Sequence, residues 1–269
     1  MIDYHAFALA VITVGAVATA GVIAPAIWRW GDGETLFRES TGEIVTRQPP
    51  RGGSLNIEST PQCEIDAAAE RVNAPDSART KRLLDITLSL GVLLFCFPIL
   101  LLTAIVIKLS SDGSVFYRQR RVGLGGAEFD LLKFRSMVSN AEQNGPQYAS
   151  VNDSRITPVG RIIRKFRIDE IPQTINVLRG EMSFVGPRPE RPEFVRDLET
   201  EIPLYQCRHL VKPGITGWAQ VKYEYAASIE GARNKLRYDL YYIRHFSPVL
   251  DLVIVLMTVR VALFGLGSR

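Results

Sequence analysis

Asp169 and Glu170 stand side by side in RIIRKFRIDEIPQTINVLRGEMSFVGPRPE, residues 161–190, where guanidinium and ammonium groups flank the carboxylate pair. That mixture suits phosphate chemistry. Cations engage phosphate oxygens, and adjacent carboxylates can supply oxygen ligands for a hard divalent cation. Pro172 follows the pair closely and is tolerated in the first turn of a helix, where its missing N–H has no intrahelical partner. The pattern predicts a helix through Ile175 and Leu178 to Gly180, a C-terminal stop. The acidic pair would then sit at a helix N-terminus, where unpaired N–H groups and the dipole favour anions. A magnesium ion would let carboxylates and phosphate share that place.

Other cations stand where they can meet phosphate. Residues 128–137 read as a strand, and with a period of two Lys133 and Arg135 project to one face. A solvated strand face gives the same alternation, so the pattern alone leaves both readings open. Arg188 is bracketed by Pro187 and Pro189. An arginine on a restricted backbone loses less entropy when its planar fork engages phosphate; a tight turn with an exposed arginine is the alternative. Trp218, in a turn-rich segment after Pro213-Gly214, either packs or lines a site. There is no GxxxxGK[ST] loop, HExxH, complete GxGxxG or nucleic-acid-binding signature, and His5, His209 and His245 are isolated. Histidine-based catalysis and a nucleic-acid partner are therefore not expected. Cys63, Cys96 and Cys207 lack CxxC or Cys/His spacing, which argues for three reduced thiols.

The rest of the chain must supply the elements that position these groups. Its 269 residues are 46% hydrophobic, enough for a core and for membrane contact. Residues 1–80 carry six Lys/Arg against ten Asp/Glu, net −4, and residues 81–269 carry twenty-six against eighteen, net +8. A basic domain behind an acidic leader suits anionic partners. Residues 6–28 contain no charge, and at 1.5 Å per residue they cover about 35 Å, the reach of a transmembrane helix. A cleaved signal peptide is the competing reading, but Asp3 and His5 occupy its positive region. Arg29, Arg38, Arg47 and Arg51 all follow the segment, which places the downstream chain in the cytoplasm.

Residues 31–80 are polar, dotted with Gly and Pro, and read as a flexible linker with a short Ala-rich stretch over 67–72. A second uncharged run, 86–107, contains Pro98, which should kink or break it. Lys81 and Arg82 before it and Lys108 after it put positive charge at both ends, as in a re-entrant helix with both ends in the cytoplasm. An ordinary kinked span is the alternative. Strands over 114–119 and 128–137 flank Gly123, Gly125 and Gly126 as a hairpin, and helices are expected around 161–166 and 173–179. Residues 249–266, interrupted by Asp251 and Arg260, show one apolar face and read as an interfacial or packed helix.

With these pieces in order, residues 81–269 resemble the bacterial sugar transferases, the monotopic polyprenyl-phosphate phosphoglycosyl transferases. The resemblance rests on KRLLD (81–85), the proline-interrupted apolar segment, VFYRQRRVG (115–123), KFRSM (133–137), RIDEIPQTINVLRGEMSFVGPRP (167–189) and KPGITGWAQV (212–221). Residues 221–252 look most like the exopolysaccharide branch. The resemblance implies a mainly helical α+β fold: a phosphoglycosyl transferase domain (81–269) with a re-entrant proline-broken helix over 83–108, a short β-hairpin and interfacial amphipathic helices. An N-terminal transmembrane helix (1–30) and the linker (31–80) precede it.

The resemblance also implies a reaction on the cytoplasmic face of the bacterial inner membrane. A nucleotide-diphosphate sugar, commonly a UDP-sugar, gives sugar-1-phosphate to undecaprenyl phosphate and releases UMP, the first step of lipid-linked exopolysaccharide synthesis. Asp169 falls on the family nucleophile, which forms a covalent phosphosugar-aspartate, and Glu170 on its Mg2+-associated partner. Arg164 and Arg188 match arginines expected at phosphates, with Lys133 and Arg135 as further phosphate-binding candidates. Membrane lipids and exopolysaccharide assembly proteins are the implied partners. Phe97, rather than the serine often found in the family, precedes Pro98, so a serine-assisted cap at the helix break is missing. A Mg2+-dependent nucleotide-sugar hydrolase and a non-catalytic membrane scaffold are the rival readings.

Overall fold

The computed structural model describes residues 53–143, 145, 153–223 and 228–264, all within the compact unit Pro49–Arg269. The candidate transmembrane segment at 6–28 and the first part of the expected linker lie outside the described residues. In chain order the elements are α1 (Gln62–Asn73), α2 (Pro75–Ser110), β1 (Phe116–Val122), β2 (Glu128–Phe134), α3 (Pro158–Lys165) and α4 (Gln173–Arg179). They continue with β3 (Ser183–Val185), α5 (Pro192–Glu201), β4 (Gly214–Thr216), α6 (Trp218–Lys222), α7 (Ile229–Arg244) and α8 (Pro248–Phe264). Helices dominate, with one antiparallel pair, β1 with β2, and one parallel pair, β3 with β4. The mainly helical α+β class is as the sequence implies.

Residues 53–80 depart from the linker expectation. On α1, Ile65, Ala68, Ala69 and Val72 are all buried, the spacing of a single helical stripe. They join the main core with Leu236, Tyr238, Leu240, Tyr242 and Ile243 of α7. Alanines add little hydrophobicity to a sequence window, yet they allow close helix approach, and each fully buried Ile or Val beside them contributes about 1.5–3 kcal/mol.

Pro75 occupies the first turn of α2, which runs for 36 residues, about 54 Å. Among the described residues it is the one helix long and apolar enough to cross a membrane. Its apolar residues stay largely uncovered, Leu94 being 82% exposed. Of the expected kink or break at Pro98, a break does not occur: Pro98 lies inside a single continuous helix. Proline removes one backbone hydrogen bond, and the remaining turns on both sides keep theirs.

The segment KRLLD fastens α2 to the rest of the domain. Lys81 Nζ donates to Val185 O (3.0 Å), Tyr242 Oη (3.1 Å) and Asp251 Oδ2 (2.7 Å). Arg82 donates to the carbonyls of Val177 (2.5 Å) and Leu178 (2.6 Å) near the C-terminal end of α4. Asp85 accepts from Ser183 Oγ (2.9 Å) and Phe184 N (2.8 Å) at β3. The helix begins eight residues before the expected start at 83, with Pro75 in its first turn. At the other end of the chain, α8 is a packed helix: Asp251 and Ile254 are buried, and Thr258 shares a hydrogen bond with Thr216 of β4 (2.6 Å).

The strands span 116–122 and 128–134, close to the expected limits, and Gly125 and Gly126 take positive φ values of 64° and 79° in the turn between them. A small cluster of Phe129, Leu131, Val177 and Met182 packs β2 onto α4. A second, of Ile107, Phe134, Ile163 and Ile168, lies beside the end of α2.

Candidate active site

The carboxylate pair is set by a reversal after α3. Thr157 caps that helix by accepting from Gly160 N (2.9 Å), and Arg167 turns the chain at φ 57°, a left-handed conformation costing a side-chain-bearing residue about 1–2 kcal/mol. Ile163 and Ile168, buried on either side of the reversal, hold it in place. Asp169 and Glu170 occupy the 3₁₀ turn Ile168–Glu170, and Pro172 takes the N-cap position of α4. The pair therefore precedes α4 rather than forming its first turn. With only seven residues in α4, nearby cations, not a helix dipole, provide the site's positive field.

Asn176 of α4 brings β2 to the pair. Its Oδ1 accepts from Leu132 N (3.0 Å), and its Nδ2 donates to Asp130 O (2.8 Å). Lys133 then reaches Glu170, Nζ donating to Oε1 at 3.3 Å. Arg188 is a two-pronged partner, Nη2 donating to Oε1 (2.5 Å) and Nη1 to Oε2 (3.2 Å). Asp169 is only 7% exposed and accepts no hydrogen bond from the described residues.

These different surroundings separate two neighbouring acids. Burial and the adjacent Glu170 push the Asp169 carboxyl up to about 6, against the pull of Lys133, Arg164 and Arg167. Burial would raise Glu170 too, but Arg188 and Lys133 outweigh it and hold that carboxyl well below its usual range. Lys133 is lowered by burial despite Glu170, whereas Glu170 raises Arg188. At neutral pH both acids are ionised, one held by two cations and the other close to its titration point.

Four of the expected residues, Asp169, Glu170, Lys133 and Arg188, converge directly. Arg164 acts on Asp169 through its charge. Arg135 goes elsewhere: β2 ends at Phe134, and the next side chain turns to the C-terminal end of α2. Its Nη2 donates to Ser111 O (2.8 Å) and Oγ (3.0 Å), and its Nη1 to Ser139 Oγ (3.2 Å) and to Asp112 O. The shared face expected for Lys133 and Arg135 fails because the strand period stops between them. Arg167 and Arg121 are additions. Arg167 pulls on both carboxyls, and Arg121 feels Glu170 and Arg188. Arg167 was visible as the residue opening RIDE; Arg121 needed the hairpin register to bring it near.

Among the described residues no three His, Cys, Asp or Glu side chains converge as a metal cage. Glu170 Oε1 carries two of the three hydrogen bonds and Oε2 one, so Oε2 keeps acceptor capacity beside the carboxylate of Asp169. One or two carboxylates completed by phosphate oxygens and water form a donor set that Mg2+ accepts.

The sequence model of the family described as bacterial sugar transferase matches residues 76–265. The chain belongs to that family. Among its relatives is the UDP-N-acetylgalactosamine-undecaprenyl-phosphate N-acetylgalactosaminephosphotransferase of Aeromonas hydrophila, 49% identical over 196 residues, 73% of this chain and 46% of that one. A UDP-glucose:undecaprenyl-phosphate glucose-1-phosphate transferase of Caulobacter vibrioides is 43% identical over 183 residues, 66% of this chain and 68% of the relative. The uncharacterized sugar transferase EpsL of Bacillus subtilis is 41% identical over 193 residues, 70% of this chain and 90% of the relative. This chain spans less than half of the Aeromonas protein. Asp169, Glu170, Lys133 and Arg188 all lie inside the matched region.

Proposed function

We propose that this chain transfers a sugar-1-phosphate from a UDP-sugar to undecaprenyl phosphate at the cytoplasmic face of the bacterial inner membrane, starting a lipid-linked exopolysaccharide. The observation that carries the reading is the division between two adjacent acids: Glu170 is held by Arg188 and Lys133, while Asp169 has no described hydrogen-bond donor and is ionised at neutral pH. A carboxylate tied up by charged hydrogen bonds is a poor nucleophile; a desolvated one with no described donor is a good one. The names of the relatives from Aeromonas and Caulobacter support the substrate classes.

In the first step a carboxylate oxygen of Asp169 attacks the phosphorus that bears the sugar. A P–O bond forms to the aspartate, the P–O bond to the nucleotide phosphate breaks, and UMP departs with the electron pair. In the second step a phosphate oxygen of undecaprenyl phosphate attacks the same phosphorus. The aspartyl P–O bond breaks, and Asp169 returns as a carboxylate. Arg188, Arg164 and Lys133 offset the charge of the diphosphate and steady the leaving phosphate. Glu170, through Oε2, would hold Mg2+, which when bound would add positive charge at the same phosphates.

Incubation with a panel of UDP-sugars and undecaprenyl phosphate should release UMP and yield a lipid-linked diphosphate sugar. Mass spectrometry of protein quenched after donor addition alone should find one phosphosugar on Asp169. Full turnover without that adduct would remove the nucleophile assignment, and free sugar-1-phosphate without lipid product would favour hydrolysis.

The uncovered apolar flank of α2 fits immersion in lipid. Lys81 and Lys108 bracket the apolar run, and we place both ends on the cytoplasmic side, which requires the helix to bend at Pro98. With the native cysteines replaced, thiol probes on Leu83→Cys and Leu109→Cys in spheroplasts should be blocked from the periplasmic side at both positions. Labelling of one end alone from that side would mean a crossing.

A further inference from the structure

Arg188 does its work from a loop that cannot hold itself by ordinary backbone pairing. In residues 186–190, Gly-Pro-Arg-Pro-Glu, the two prolines have no N–H, so the loop is fixed mainly through its carbonyls. Gly186 N donates to Thr216 O (2.9 Å), and each of the next four carbonyls is taken in turn. Pro187 O accepts from Gly214 N (2.9 Å) and Glu190 O from Val122 N (3.0 Å). Pro189 O accepts from Arg121 Nη1 (2.9 Å), and Arg188 O from Arg208 Nη2 (2.7 Å). Gly186 itself is packed so closely that a Cβ there would lie 2.5 Å from Lys212 O.

Arg208 differs from the other donors because it is a buried charge, 3% exposed, and its own orientation is fixed. Nη1 donates to Tyr205 Oη (2.7 Å), while Nη2 divides between Asp239 Oδ2 (2.9 Å) and Arg188 O. One planar guanidinium thus ties α7 and the turn Tyr205–Leu210 to the main chain of the arginine that grips Glu170.

We propose that Arg208 is a positioning residue for the transfer reaction: by clamping the carbonyl of Arg188, it sets the reach and orientation of that side chain toward Glu170 and the donor diphosphate. A lysine keeps the charge opposite Asp239, but its single flexible ammonium cannot reproduce the planar fork across three acceptors. The inference rests on the reading of Arg188 as a phosphate-binding group.

A double-mutant cycle separates positioning from general support. UMP release from the best donor of the panel is measured for Arg208→Lys, Arg188→Lys and the double variant, each normalised to folded protein. Arg208→Lys should lower kcat/KM by about tenfold to a hundredfold in the native background, the range for hydrogen bonds involving charged groups, and by less than about threefold once Arg188 is already lysine. Equal losses in both backgrounds, or no loss in the native one, overturn the proposal. No loss in Arg188→Lys itself overturns the reading of the site along with it, so the two failures are distinguishable. If Arg208→Lys does not fold, Tyr205→Phe, which removes only the acceptor on Nη1, should give a smaller loss with the same dependence on Arg188; equal losses in both backgrounds again count against positioning.

Discussion

Two ionic clusters lie next to each other in this domain and are built from the same residue types, yet among the described residues only one has an acid without a hydrogen-bond donor. In the cluster behind the site, Asp239 accepts from Arg208, and Glu190 accepts from Lys235 while pairing with Arg121 at 3.6 Å. In the site, Glu170 is equally engaged, but Asp169 is not. Buried charges that are fully partnered hold geometry; a buried charge without a donor stores reactivity. Arg188 joins the clusters, its side chain on Glu170 and its carbonyl on Arg208.

The comparison can be broken most severely at its odd member. Asp169→Asn keeps the shape and removes the proposed nucleophile, so UMP release should fall below detection while membrane association persists; retained turnover would end the assignment. Glu190→Gln strikes the saturated cluster instead. Burial opposes its ionisation, yet Lys235, Arg208 and Arg121 hold its carboxyl down at about 2. Its folded pKa is depressed, so its stabilising contribution is present above the ordinary 4.5 and drains away as pH falls toward about 2. The amide leaves buried cations uncompensated, and thermal unfolding should show a loss of about 3–5 kcal/mol. Full stability in that variant would mean the network is not the support described. The mildest probe is pH. With Asp169 raised to about 6, kcat/KM should drop on the acid side of that value, by about tenfold one unit below it. An acid limb near 4 would show that Asp169 is no more desolvated than an ordinary carboxylate.

Much of this was legible along the chain. Asp169-Glu170 with Arg188 between prolines pointed to phosphate chemistry because the chemistry of those groups is intrinsic to them. The hairpin around Gly125 and Gly126 and the stop at Gly180 were legible because positive φ is a local demand. Other readings failed where local and long-range forces compete. Ile65, Ala68, Ala69 and Val72 fell on one stripe, but nearby prolines and glycines masked a helix whose stability comes from α7. Arg135 seemed a partner of Lys133 until the strand ended between them. At Pro98, where a kink or break was expected, the helix continues unbroken.

By itself, the sequence determined which groups could do chemistry, where the chain must turn, and that one long segment is too apolar to be left in water. These are properties of residues and their near neighbours. Tertiary structure alone decided which of two adjacent acids is tied to cations and which is poised, and that a buried arginine twenty positions from Arg188 holds its backbone. Those outcomes depend on burial and on partners from distant segments. Electrostatic energy follows distance and dielectric in space, and neither can be read from spacing along the chain.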